Sequence, residues 1–167
     1  MAYTGRVSFF QPENFIIRSL KQEDAEFLCS IFKDNTEYYE IFYDSETNVC
    51  EWEERVGLFI NQNRIFHYVI EDENNGVGWF SYLDISSTER EIGILVIKKE
   101  YLHCGYGAKT LLWFIEKCKE ENVEKIILNV NQSNTRAIKF YKNFGFEIYA
   151  EEIIPQCNEA INLAQYK

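Results

Sequence analysis

Prolines are scarce in this sequence, two in 167 residues, so few positions force a break in regular structure. No apolar run approaches the roughly 20 residues that a bilayer-spanning helix needs, so no membrane partner is expected. The first residues, Met1-Ala2-Tyr3-Thr4-Gly5-Arg6, lack the apolar core of a secretory signal, which sets a cytoplasmic expectation. The cysteines Cys29, Cys50, Cys104, Cys118 and Cys157 are odd in number and contain no Cys-x-x-Cys pair. That spacing excludes zinc-ribbon and thioredoxin-like readings, and no metal is expected. Basic residues number 17 against 27 acidic ones, for a net charge of −10. A surface of that sign argues against nucleic acid as the main partner. Repeats, low-complexity tracts and linkers are missing as well.

What is present describes a globular protein. Hydrophobic residues make up 46% and aromatics 16% of the chain, enough for one real core at this length. The charge is uneven. Residues 98–143 carry nine Lys/Arg against five Glu, whereas residues 23–54 carry eleven acidic residues and one Lys. One part of the chain suits an anionic ligand and another a cationic one, unless the acidic stretch is simply a solvated face.

Periodicity gives the order of elements. Residues 14–20 read as a strand, followed by a helix to about Lys33 and a second helix over 46–61. Two apolar runs, 64–71 and 77–85, flank Asn75-Gly76, a hairpin signal because glycine and asparagine tolerate positive φ. A strand over 89–97 precedes a third helix over 105–121, with Ala108, Leu111, Leu112, Ile115 and Cys118 as its buried stripe. A strand over 124–130, a fourth helix over 134–143 capped by Gly145, and strands over 146–150 and 158–166 complete the chain. The early meander and the later alternation predict an α/β fold with a mixed, mostly antiparallel sheet of about seven strands and about four helices. The strands before and after the third helix should be parallel. One domain over 14–167 follows an extension over 1–13.

The segment Leu102-His103-Cys104-Gly105-Tyr106-Gly107-Ala108 lies between an apolar strand and an amphipathic helix. Strand, glycine turn and helix start in that order form an anion cradle: unpaired amides of the first helical turn point at a ligand, and the helix dipole favours negative charge. A dinucleotide fingerprint is excluded because position 110 is Thr where it needs Gly. A nucleotide-triphosphate loop is excluded because the upstream Gly is missing.

The cradle, together with Asn134, Ala137, Tyr141 and Gly145-Phe146 downstream, resembles the two signatures of the GNAT superfamily of N-acetyltransferases. The strand order matches that family from about residue 14 to the end. The resemblance implies the acyl-CoA N-acyltransferase fold and acetyl-CoA as co-substrate. It implies that His103, Cys104, Gly105, Tyr106, Gly107 and Ala108 hold the pyrophosphate. The strand edge Leu95, Val96 and Ile97 would pair with the pantetheine arm, and Asn134 would also touch the cofactor. Leu102 stands where the family usually has Arg or Gln, which removes a side chain but no backbone donor. Lys109, Arg136 and Lys139 are candidates for local positive charge.

The same resemblance assigns Tyr141 as the acid for the leaving thiolate and Glu91, fourteen residues before Gly105, as the base for the amine. The alternation of Glu89, Glu91 and Gly93 places them on one strand face. Tyr38, Tyr39 and Tyr43, with Phe42, fall where the acceptor wall forms; with nearby carboxylates they suit a cationic amine. Cys104 contributes an amide rather than a nucleophile, and His67 is a core or edge residue. The implied activity is direct transfer of acetyl to a primary amine of a small molecule or protein, a cationic one slightly favoured. A non-catalytic coenzyme A-binding regulator and a transferase for another acyl group are the alternatives. A homodimer is left open.

Overall fold

The computed structural model describes residues 14–34, 49–154 and 157–166, with side-chain surroundings from 14 to 34 and from 49 to 149. The chain runs β1 (Phe15–Ser19), a 3-10 turn (Gln22–Asp24), α1 (Ala25–Asp34), α2 (Val49–Ile60), β2 (Ile65–Asp72), β3 (Asn75–Asp84) and β4 (Glu89–Ile97). It continues with α3 (Tyr106–Glu120), β5 (Lys125–Asn131), α4 (Thr135–Asn143), β6 (Glu147–Ile154) and β7 (Cys157–Tyr166). The seven strands form one sheet in the order β1-β2-β3-β4-β5-β7-β6. Only β4 and β5 are parallel; every other neighbouring pair is antiparallel. The expected fold class is what is observed. Among the described residues no helix is long and apolar enough to cross a membrane.

Helices cover both faces of the sheet. On one face Leu111, Phe114 and Ile115 of α3 and Tyr141 of α4 pack against Phe80, Tyr82, Ile92, Ile126 and Leu128. On the other, α1 and α2 bring Leu28, Phe32, Trp52 and Val56 onto Val69, Trp79 and Val96. Fully burying a side chain of this size stabilises the fold by about 1.5–3 kcal/mol each.

Three local expectations need correction. The β2–β3 turn is Glu73-Asn74, with φ of 50° and 67°, and not Asn75-Gly76. Gly76 is instead selected by space, since a Cβ there would lie 2.5 Å from the Phe27 ring of α1. The buried stripe of α3 keeps Leu111, Ile115 and Cys118 as expected and adds Tyr106, Thr110 and Phe114, but Leu112 is 50% exposed. Finally, the pairing of β3 with β4 shifts at Gly93, where Ser81 faces Ile94 and Tyr82 faces Ile92. This bulge breaks the simple alternation. Ile92 packs on the α3 side, but Ile94 and Val96 pack on the α1–α2 side.

Candidate active site

The parallel ladder between β4 and β5 is short. It covers Glu89↔Lys125, Arg90↔Ile126, Glu91↔Ile127 and Ile92↔Leu128 and then stops. Beyond it β4 pairs only with β3, and β5 only with β7. The two strands therefore part, leaving the edge of β4 that carries Leu95, Val96 and Ile97 without a ladder partner on the β5 side. Backbone donors and acceptors in such a gap need partners of their own.

α3 starts at this same end of the sheet. Gly105 precedes the helix at φ 87°, ψ −5°, a left-handed conformation that glycine adopts without penalty. His103 is also left-handed, with φ 65°. The first intrahelical bond runs from Lys109 N–H to the Gly105 carbonyl at 3.0 Å, and no side chain caps the helix. The amides of Tyr106, Gly107 and Ala108 lie ahead of that bond and have no intrahelical acceptor. A Cβ on Gly107 would sit 3.8 Å from Ile97 Cγ1 and 3.8 Å from Phe140 Cζ, so the first turn of α3 lies between the end of β4 and α4. The cradle is braced by the Tyr106 hydroxyl, which donates to Asp72 Oδ2 at 2.5 Å. The Cys104 thiol donates to the Leu102 carbonyl at 3.6 Å. Lys109 Nζ lies 5.5 Å from the centre of the Phe15 ring.

α4 starts beside it. Asn134 caps the helix by accepting the Ala137 N–H on Oδ1 at 3.1 Å. Gly145 at φ 85° closes the far end, where Gly145 N–H reaches the Lys142 carbonyl and Phe146 N–H the Tyr141 carbonyl. This is a Schellman ending, and it fixes the rotation of Tyr141 about the helix. Tyr141 is buried against Phe146, with ring centres 5.5 Å apart, and its hydroxyl makes no hydrogen bond among the described residues. Burial pushes its phenol above the ordinary range, so it is protonated at neutral pH.

Glu91 sits in the parallel ladder, one pair before it ends. Its strand neighbours Arg90 and Ile92 are buried on the α3 side of the sheet, so Glu91 points to the α1–α2 side. Asn129 donates to its Oε1 at 2.8 Å. Burial raises the Glu91 carboxyl, the Asn129 bond lowers it, and Glu89 raises it further; the net direction is upward. A protonated phenol on the α3–α4 side and a carboxyl of raised basicity on the α1–α2 side thus stand on opposite faces of the sheet. Asn129 was missed by sequence reasoning; its only signal was a polar residue inside the run Lys-Ile-Ile-Leu-Asn-Val-Asn.

Tyr38, Tyr39, Phe42 and Tyr43 lie outside the described residues. His67, expected in the core or at an edge, stacks on Phe59 at 4.4 Å and on Trp79 at 5.8 Å. Neither of its ring nitrogens has a hydrogen-bond partner among the described residues. Among the described residues no cluster of His, Cys, Asp and Glu could hold a metal ion.

Known proteins share the family signature and the fold. The model of the acetyltransferase (GNAT) family matches residues 25–146. An uncharacterized protein of Methanocaldococcus jannaschii is 25% identical over 143 residues, which is 82% of this chain and 29% of that protein. A Bacillus subtilis protein provisionally named a ribosomal protein bS18-alanine N-acetyltransferase is 27% identical over 86 residues, 52% of this chain and 57% of that one. The chain thus spans less than two thirds of the length of either relative. Spermidine N-acetyltransferase of Vibrio cholerae, solved in complex with CoA and spermine, has the same fold: TM-score 0.76, 20% identity, 92% of this chain and 95% of that one.

Proposed function

This chain belongs to the acetyltransferase (GNAT) family, and on that premise we propose that it moves the acetyl group of acetyl-CoA directly to a primary amine. The observation that carries the reading is the meeting of two features at one end of the sheet. One is a parallel strand pair that parts after Ile92 and Leu128; the other is a glycine-led helix whose first amides have no intrahelical acceptor. An open sheet edge suits an extended amide-bearing arm, and a bare helix N-terminus suits a pyrophosphate. The residues present fit the cofactor: the open edge, the left-handed turn at His103 and Gly105, and the side-chain-free space at Gly107 all lie together.

In this reading the amides of Tyr106, Gly107 and Ala108, with the turn at His103, Cys104 and Gly105, hold the pyrophosphate. Leu95, Val96 and Ile97 hold the pantetheine arm, and Asn134 contributes beside them. Acetyl-CoA supplies an activated acyl thioester. Glu91 takes the proton of the incoming ammonium, directly or through water; its raised basicity suits that task. Tyr141 keeps a proton on its phenol oxygen for the leaving thiolate. Binding both reactants in one gap supplies a large part of the rate by removing the entropy of their encounter.

The acceptor is a small cationic amine. Eleven acidic residues between positions 23 and 54 set a negative field on that part of the chain, and a fold neighbour is named for spermidine. The transferase unit is residues 14–167 with 1–13 as an extension, and it works in the cytoplasm. The test is thiol release from acetyl-CoA with four amines: spermidine, spermine, kanamycin and a peptide beginning with alanine. Saturable release is expected, fastest with the polyamines. Release from none of the four, by a protein that binds acetyl-CoA, refutes the transfer reading.

A further inference from the structure

We propose that Asn129 is a positioning residue that holds the Glu91 carboxylate by one oxygen across the mouth of the β4–β5 gap and leaves its other oxygen for the acceptor amine. The proposal rests on the reading of Glu91 as the base.

The register sets up the contact. Glu91 faces Ile127 in the last stretch of the ladder, and Asn129 stands two residues further along β5, after the final pair Ile92↔Leu128. A diagonal i, j+2 neighbour on the same face lies within reach of a long side chain. Asn129 is exposed and sits in a strand, where asparagine is disfavoured. Its amide satisfies no backbone group in the described structure; it donates to Glu91 Oε1 at 2.8 Å.

The charges around Glu91 explain why a neutral donor matters. Glu89 on the same strand is engaged by Lys125 of β5 at 3.4 Å. Arg90 turns to the opposite face, where it meets Asp84 and Glu121. On β3 the residue in register is Leu83, which carries no charge. A lysine or arginine at position 129 would anchor the carboxylate but strip it of basicity, because an adjacent cation strongly favours the ionised form. An asparagine fixes the orientation at a smaller loss of proton affinity. Without it the terminal carboxylate torsion is broad, and the free oxygen is no longer aimed.

The experiment compares Asn129→Ala, Asn129→Asp and Glu91→Gln with the unchanged protein. The readouts are kcat and KM for the fastest of the four amines named above, the pH profile, acetyl-CoA affinity, Tm, and a ¹³C-carboxyl titration of Glu91. For Asn129→Ala, kcat should fall about tenfold with a smaller change in amine KM. Its low-pH limb and its Glu91 titration midpoint should move up by about one pH unit, because a bond to the charged form is gone. Asn129→Asp, nearly the same size, should move both further in the same direction. Acetyl-CoA affinity and Tm should not change. If Glu91→Gln is slow but Asn129→Ala keeps both rate and limb, the positioning role is overturned and the base stands. If Glu91→Gln changes neither, both fall. If no amine is turned over, the titration decides, and equal Glu91 midpoints in the unchanged protein and Asn129→Ala overturn the proposal.

Discussion

His67 offers the most quantitative check on the packing between the sheet and α2. Its imidazole packs against both Phe59 and Trp79, which also touch each other, and both ring nitrogens are enclosed without a hydrogen-bond partner among the described residues. Such a ring must stay neutral, and burial pushes its pKa down to about 4 from 6.5. The unfolded chain therefore binds one more proton than the folded chain between those two values. Stability contributed by the neutral ring is intact above pH 6.5, is lost as pH falls toward 4, and changes no further below that. At about 1.4 kcal/mol per pH unit, the loss between pH 7.5 and 4.5 is about 2.5 kcal/mol. His67→Phe keeps the stack and removes the titration. At pH 7.5 that variant should be as stable as the unchanged protein or slightly more so, because two unpaired buried polar atoms disappear. Urea unfolding at pH 7.5, 6.5, 5.5 and 4.5 should show its advantage growing by about 2.5 kcal/mol toward the acid end. The carboxylates titrate alike in both proteins and cancel in the difference. Parallel curves for the two proteins over that range would refute a neutral, buried His67.

Tyr141→Phe should keep the ring packing on Phe146 and the acetyl-CoA dissociation constant while lowering kcat about a hundredfold or more; stopped-flow thiol release and calorimetry separate the two. Gly107→Val should fold, because a Cβ meets its neighbours at ordinary distance, yet lose acetyl-CoA binding by filling the space between Ile97 and Phe140. Retained Tm with unchanged affinity would contradict that. Gly78→Ala places a Cβ 2.6 Å from Ile97 Cδ1 and 2.7 Å from the Val96 carbonyl, and should cost about 1–3 kcal/mol in urea unfolding.

The sequence made the elements and their order legible because apolar periodicity switches cleanly between two and 3.6 residues along the chain. It made the cradle legible because Gly105 and Gly107 are local: a left-handed cap and a bare first turn are written in adjacent residues. The bulge was only half legible. Gly93 interrupts a strand pattern, which is a bulge signal, but nothing local says that it swaps the faces of Ile94 and Val96. The inward place of Phe114 rather than Leu112 on α3 was not legible because both are apolar; the choice between them is made by Phe80 and Tyr82 of β3, far away in sequence. The hairpin register likewise follows from the close approach of Phe27 to Gly76. The Glu91–Asn129 bond spans 38 residues and depends on where the parallel ladder ends, which no sequence window contains.

On the proposed function, the parted strands and the bare amides of α3 hold acetyl-CoA. Calorimetric titration of the purified protein, paired with a thermal melt, tests it directly. One saturable site is predicted. Ligand at about a hundred times its dissociation constant should raise stability by about 2.7 kcal/mol, or Tm by roughly 5–10 °C. No heat and no rise in Tm would mean that acetyl-CoA does not bind there.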